Sequence, residues 1–278
     1  MEKISKTSLN YYLSEYLEDL MRAGVKDIRR TPPLAAQPSD DVGRAKSEPR
    51  PETEPKPDPE SKIEPAPIVR PTPELRVVAQ QAKKAESTGD DRAKALAEIA
   101  AQVARCKLCP NLVANRTQTV FGTGDPYAEL CFIGEGPGAE EDARGVPFVG
   151  RSGQLLTDMI EKGMKIKRES VFICNIVRCR PPQNRNPERR EADNCRPFLD
   201  ATLDVVKPKY ICCLGSIAAT NLLDVDVPIG KLRGVVQNYN GAKVVCTYHP
   251  AYLLRNPAAK KQAWEDLQLL MREMGLLQ

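Results

Sequence analysis

The sequence predicts an α/β protein: a three-layer αβα sandwich around a four-stranded, mainly parallel central sheet, preceded by a disordered, proline-rich N-terminal extension. Three observations carry this reading. Four short apolar runs, residues 130–134 (LCFIG), 171–175 (VFICN), 210–215 (YICCLG) and 244–248 (VVCTY), have the unbroken hydrophobicity of strands buried on both faces. Helical patterns over residues 153–164, 187–206, 216–223 and 260–274 separate and follow them, and strand–helix alternation is the mark of a parallel sheet covered on both sides. Residues 31–73 hold 12 of the 24 prolines and no aromatic residue, a composition that cannot bury enough apolar surface to offset its ordering entropy.

The elements follow in chain order. In residues 1–30, Leu9, Tyr12, Leu13, Tyr16, Leu17, Leu20 and Met21 recur at helical spacing and Gly24 can end the helix. Residues 31–89 then form a tether. An amphipathic helix on a leash has three uses: docking on a protein partner, folding back on its own domain, or pairing with a second copy. A second helical pattern runs from about Asp90 through RAKALAEIAAQVARC, and the globular body, residues 90–278, begins there. In parallel sheets of this kind ligands bind beyond the carboxyl ends of the strands. That rule selects four places: GEGPG after the first run, Asn175 at the end of the second, GSIA after the third and HPAY after the fourth.

Bulk composition narrows the function classes. The chain is 41% hydrophobic and 28% charged, and it has no run of about 18 apolar residues that would cross a membrane. MEKISKTSLN lacks the apolar core of a signal peptide, so a cytoplasmic location is expected. Nine cysteines there read as core residues, metal ligands or redox groups rather than a disulfide framework. Residues 1–100 carry 17 Lys+Arg against 18 Asp+Glu, whereas residues 101–278 carry 24 against 19. That basic excess permits nucleic-acid binding without requiring it.

The cysteines divide into two sets. Cys131, Cys174, Cys212, Cys213 and Cys246 lie inside the apolar runs and read as small buried hydrophobes. Cys106 and Cys109 form a C-x-x-C, with 69 residues between Cys109 and Cys179 and 15 between Cys179 and Cys195. Four thiolates so arranged suit a tetrahedral zinc or an iron–sulfur cluster, and spacing does not separate the two. Between Cys179 and Cys195 the chain is rich in arginine and proline, as expected of a stiff surface facing an anion. His249, the single histidine, lies just past the fourth run in TYHPAYLLRNP, where an imidazole can donate a hydrogen bond or a proton near neutral pH. In GEGPGAEED the glycines let the backbone approach a ligand, but the match to a dinucleotide fingerprint fails at the third glycine and at Pro137. In GVPFVGRSGQLL, Ser152 can cap the helix that follows and Phe148 is either core or a stacking plate.

Taken together, VFGTGDP, GEGPGAEED, GVPFVGRSGQLL, ICNIVRCRPPQNRNP, TYHPAYLLRNP and the four spaced cysteines resemble the iron–sulfur uracil-DNA glycosylases known as family 4. The resemblance spans roughly residues 96–275 and leaves the first 90 uncovered. It implies a [4Fe–4S] cluster on Cys106, Cys109, Cys179 and Cys195 that staples DNA-contacting loops. It also implies a uracil pocket lined by Glu135 and Gly136, with Phe148 stacked on an extruded base, Asn175 reading its edge and His249 facing O2. Glu141 is expected to crowd C5 against thymine. Ser152, Arg185 and Arg255 are expected at the DNA, with Leu253 or Leu254 filling the space the base vacates. The partner is uracil-containing DNA, handled by a monomeric, nucleoid-associated catalytic domain.

Elementary chemistry agrees with that assignment. A glycosylase must extrude its nucleotide, at a cost of a few kcal/mol, before reaching C1′. As the glycosidic bond breaks, negative charge grows on uracil and donors aimed at it lower the barrier. A water-activating aspartate is absent at Gly136, which leaves Glu135 as the nearest carboxylate, acting through side chain or backbone. Two other readings compete with this one. A non-turnover protein that binds uracil-DNA or bonds to the abasic site is disfavoured, because PFVGRSGQLL carries no inserted histidine-containing loop. A zinc-stapled scaffold would be colourless where an iron–sulfur protein is brown.

Overall fold

The computed structural model of the protein describes residues 89–277. The expected N-terminal helix and nearly all of the expected proline-rich tether lie outside the described residues. The body opens with α1 (Gly89–Arg105), whose Leu96, Ile99 and Val103 form one buried stripe at helical spacing. A short α2 (Pro110–Asn115) follows, with proline in its first turn where no amide hydrogen is missed.

Six strands form one sheet: β1 (Thr123–Gly124), β2 (Leu130–Gly134), β3 (Phe172–Asn175), β4 (Tyr210–Leu214), β5 (Val236–Tyr239) and β6 (Ala242–Thr247). Their order is β1-β3-β2-β4-β6-β5. The central four pair in parallel, and these are the four expected strands. The sheet is wider than expected because β1 and β5 add antiparallel edges. Neither edge has a long apolar run. β1 has only two residues, and β5 is the polar VQNY. The β5–β6 turn is Asn240–Gly241, both at positive φ (48° and 87°), the conformation favoured by a tight hairpin.

The sheet separates two cores, because successive side chains on a strand face opposite ways. On one face Cys131, Ile133, Cys174, Ile211, Cys213, Val244 and Cys246 meet α1, α5 (Arg189–Val206) and α6 (Ser216–Leu223). On the other, Leu130, Phe132, Ile173, Cys212, Leu214 and Val245 meet Leu156 of α4 (Arg151–Asp158) and Leu267, Leu270 and Met271 of α9 (Lys260–Glu273). The remaining helices, α3 (Ala139–Arg144), α7 (Ile229–Leu232) and α8 (Pro250–Arg255), are short. The five strand cysteines are all fully buried, as expected of small hydrophobes. α4 begins two residues before residue 153 and ends in a π-turn, Met159–Gly163, whose wider bonding a 3.6-residue pattern does not encode.

Among the described residues no helix is long and apolar enough to cross a membrane. Gly241→Val forces an L side chain into the left-handed turn at a cost of about 1–2 kcal/mol. The melting temperature should fall by roughly 2–6 °C in a thermal melt. An unchanged value would show that this turn does not need its glycine.

Candidate functional site

A cavity of about 370 Å³ opens beyond the carboxyl ends of β2, β3 and β6. Its walls include Glu135, Phe148, Asn175 and His249, so the places selected after the first, second and fourth runs converge there. Gly134, the last residue of β2, makes this convergence possible. A Cβ on it would lie 2.4 Å from Asn175 Oδ1 and 2.5 Å from Phe148 Cζ. Only a residue without a side chain lets the Asn175 amide and the Phe148 ring close over the strand end.

Phe148 is held in an unusual pose. It is buried, its φ is 54°, and its ring lies 5.6 Å from the His249 ring at an interplanar angle of 34°. Arg168 holds that strained segment by donating Nη2 to the carbonyls of Pro147 (3.2 Å) and Phe148 (3.0 Å). Gly153 sits directly against the Phe148 carbonyl, where a Cβ would be 2.0 Å from the oxygen. Glu141 ties the same segment to GEGPG. Its carboxylate accepts N–H bonds from Gly138 (3.1 Å), Val149 (2.9 Å) and Gly150 (3.0 Å).

Asn175 is 2% exposed and its Oδ1 has no hydrogen-bond partner. A buried, unpaired acceptor is costly and marks a place where a ligand donor fits. His249 accepts the Ala251 N–H on Nδ1 at 3.1 Å and so caps α8. That bond leaves the neutral ring its proton on Nε2. Burial, followed by the nearby Arg255 charge, lowers the imidazole to about 4, with Glu141 opposing. Burial also raises the Glu135 carboxyl above its ordinary value. Its backbone carbonyl accepts from Val177 N at 3.1 Å, fixing the peptide.

The four cysteines outside the strands gather at one end of α5. Cys106 follows α1, Cys109 precedes α2, Cys179 follows β3 and Cys195 lies inside α5. All nine thiols are free. Arg116 donates Nη1 to Cys179 Sγ (2.9 Å) and Nη2 to the Cys106 carbonyl (3.0 Å). Asn194 donates Nδ2 to Cys109 Sγ (3.3 Å) and to the Leu108 carbonyl (3.3 Å). Burial raises the Cys109 and Cys179 thiols, against those donors, and pushes Cys195 up to about 12. Sulfurs with N–H donors already aimed at them suit an iron–sulfur cluster that would hold them as thiolates. Among the described residues no three His, Cys, Asp or Glu side chains close around a single metal ion. Thiolates on a multi-iron cluster ligate different irons and need not do so.

The uracil DNA glycosylase superfamily profile matches residues 121–268. The type-4 uracil-DNA glycosylase of Thermotoga maritima is 45% identical over 160 residues, covering 57% of this chain and 82% of that protein. Its counterparts in Sulfurisphaera tokodaii (41% over 189 residues; 65% and 85%) and Archaeoglobus fulgidus (36% over 183 residues; 63% and 91%) match to a similar extent. The chain belongs to the type-4 uracil-DNA glycosylase family.

Against the residues expected of a type-4 uracil-DNA glycosylase, the cavity brings together Glu135, Gly136, Glu141, Phe148, Ser152, Asn175, Arg185, His249 and Arg255. Four expectations change in detail. Leu253 is 2% exposed and packs inward, so it cannot fill a space in DNA, whereas Leu254 is 43% exposed. Ser152 is the second residue of α4; the capping position is Gly150. The Arg185 guanidinium is committed to Glu191, at 2.7 and 2.9 Å, and to Glu188 at 3.1 Å, which makes it a staple of the 179–195 loop. Glu141 reaches the wall, but its carboxylate serves backbone amides. Gly134, Arg168, Arg116 and Asn194 escaped the sequence reading. The glycine closing LCFIG was a usable signal for the first, whereas nothing local marks the partners of the other three.

Gly134→Ala should displace Asn175 and Phe148 and lower kcat/KM by about 100-fold, the scale of a misplacement of roughly 1 Å. Steady-state kinetics on a uracil-containing oligonucleotide would check this, and wild-type kinetics would remove Gly134 from the site.

Proposed function

We infer that the protein excises uracil from DNA by hydrolysing its N-glycosidic bond and leaving an abasic site, the first step of base excision repair. The observation that carries the site assignment is the unpaired Asn175 Oδ1, buried in the cavity wall beside the Phe148 ring. An extruded uracil enters the cavity with its face against Phe148. Asn175 Oδ1 accepts the uracil N3–H and the same amide donates to O4. Cytosine presents the opposite pattern at both positions and is rejected. His249, neutral and protonated on Nε2, donates to O2, where negative charge collects as the C1′–N1 bond breaks. Water adds to C1′ on the sugar cation. Glu135, whose basicity burial increases, takes the water's proton, and the departing uracil anion is protonated afterwards.

Cys106, Cys109, Cys179 and Cys195 would hold a [4Fe–4S] cluster, which when bound would supply four covalent anchors for the loops around the cavity. Asn184, Arg185 and Asn186 lie between two of those anchors and line the cavity mouth, so fixing the loop fixes that rim. Arg255 at the end of α8 faces the phosphate backbone. Exposed Leu254 enters the gap in the base stack, as apolar wedges do in kinked duplexes. In this reading the catalytic domain works as a monomer at the nucleoid.

Incubation with a uracil-containing oligonucleotide, followed by alkali, should break the strand at the uracil; an intact strand at every salt concentration contradicts the reading. His249→Ala should lower the rate by about 100- to 1000-fold, the scale of losing one donor to a developing anion. Because the active imidazole is neutral and titrates near 4, the wild-type rate should be flat around neutral pH and fall on acidification as the Glu135 carboxylate and the ring are protonated. The folding contribution has the same sign. It is complete above the unfolded value of 6.5 and is lost as pH falls towards 4. A rate that rose on acidification through pH 6 would require an imidazolium instead.

A further inference from the structure

An extruded nucleotide stays tied to its neighbours in the strand, so a neighbouring nucleotide must lie at the cavity mouth. There α8 presents Tyr252 and Arg255, three residues apart and both in the cavity wall. Tyr252 is 40% exposed; of the large apolar side chains open to solvent among the described residues, it is the one that lines the cavity. Its backbone is fixed. The N–H donates to the His249 carbonyl at 2.9 Å, and the carbonyl accepts from Asn256 N (2.8 Å) and Asn256 Nδ2 (3.2 Å). Its ring packs on Tyr248, with centroids 5.1 Å apart and an interplanar angle of 32°. The Arg233 guanidinium lies over the Tyr248 ring at 5.5 Å. Arg233 is anchored in turn by Asp266 of α9, a carboxylate residue only 1% exposed. Nε donates to Asp266 Oδ2 at 3.1 Å, Nη2 lies 3.0 Å from Oδ1, and Nη2 donates to the Gln262 carbonyl at 2.8 Å. Asp266 also accepts the Thr247 hydroxyl at 2.8 Å, at the end of the strand that leads to His249. A buried carboxylate thus stiffens a column of planar groups reaching from the core to the mouth. An exposed ring normally loses rotamer freedom when a ligand orders it; a ring already held in a stack has lost that freedom beforehand.

We propose that Tyr252 is the stacking plate for the nucleobase adjacent to the extruded uracil nucleotide on the same strand, with Arg255 beside it at the phosphate. The proposal rests on the uracil-excision reading above and adds a subsite to it. Every base has a π face, so such a plate adds affinity without demanding a sequence. Its role differs from that of Phe148, which faces the uracil itself, and from that of Leu254, which is not part of the cavity wall.

The test is a double-mutant cycle between protein and substrate, read by steady-state kinetics on single-stranded uracil oligonucleotides at fixed salt. The base next to uracil is left intact or replaced, on the 5′ or the 3′ side, by an alkali-stable tetrahydrofuran spacer. Wild type is compared with Tyr252→Ala, Tyr252→Leu and Tyr252→Trp. On the intact strand the Ala and Leu variants should raise KM by about 5- to 100-fold, with a smaller effect on kcat, and Trp should recover most of that loss. With the stacked base removed from one side, wild type should lose the same factor, and all four proteins should converge. Tyr252→Leu keeps apolar volume against Tyr248, so the cycle can still be read if the Ala variant disturbs α8. Equal losses on every substrate in both the Ala and Leu variants would overturn the proposal and make Tyr252 a support for the His249 turn. An unchanged KM in both, or a Trp variant that behaves like Leu, would overturn it as well. Wild type that excises uracil but shows no coupling on either side sinks this proposal alone. Wild type that leaves every uracil strand intact sinks the excision reading first and the subsite with it.

Discussion

The close approach at Gly134 is the constraint on which the cavity depends. A parallel strand ends there, and the next two atoms of consequence belong to other segments: the Asn175 amide from the neighbouring strand and the Phe148 ring from a loop. Neither could occupy its place if the strand carried one more carbon. The cost is carried around the site. Phe148 adopts a left-handed backbone that Arg168 and Gly153 hold in place, and Glu141 gives its whole carboxylate to amides on either side of the cavity. Strain of this kind persists only where the surroundings overdetermine it.

The second organising feature is the four-cysteine end of the molecule. It joins the ends of α1 and α5 to the segment leaving β3, and that segment runs directly from Asn175 in the cavity to Cys179. Whatever fixes those thiols therefore also fixes the strand end that carries Asn175. Arg116, Asn194 and the Arg185–Glu191 pair supply the polar lacing of the same loop from the protein alone. An arginine-rich loop can be a scaffold as well as a phosphate contact, and here Arg185 and Arg189 are paired with carboxylates of the protein.

The central sheet was legible because its four parallel strands are continuous apolar runs, a pattern few other structures need. The edges were not. β1 is two residues long, and β5 shows its identity only through the Asn240–Gly241 turn that follows it, a hairpin signal that apolarity alone overlooks. Within the site, residues fixed by their chain position at a strand end, such as Asn175 and His249, could be read in advance. Residues defined by their partners could not. A guanidinium looks the same in sequence whether it meets a phosphate or, as Arg185 does, a carboxylate six residues along the chain. Adjacent Leu253 and Leu254 differ only by the helical phase of α8, which one short turn does not reveal.

The position of free uracil bound to the protein tests the pocket most directly. A structure of the protein soaked with the base should place the ring against Phe148, with N3 within hydrogen-bond distance of Asn175 Oδ1 and O2 at His249 Nε2. Uracil bound elsewhere, or a filled cavity in which Asn175 Oδ1 still has no donor, would contradict it.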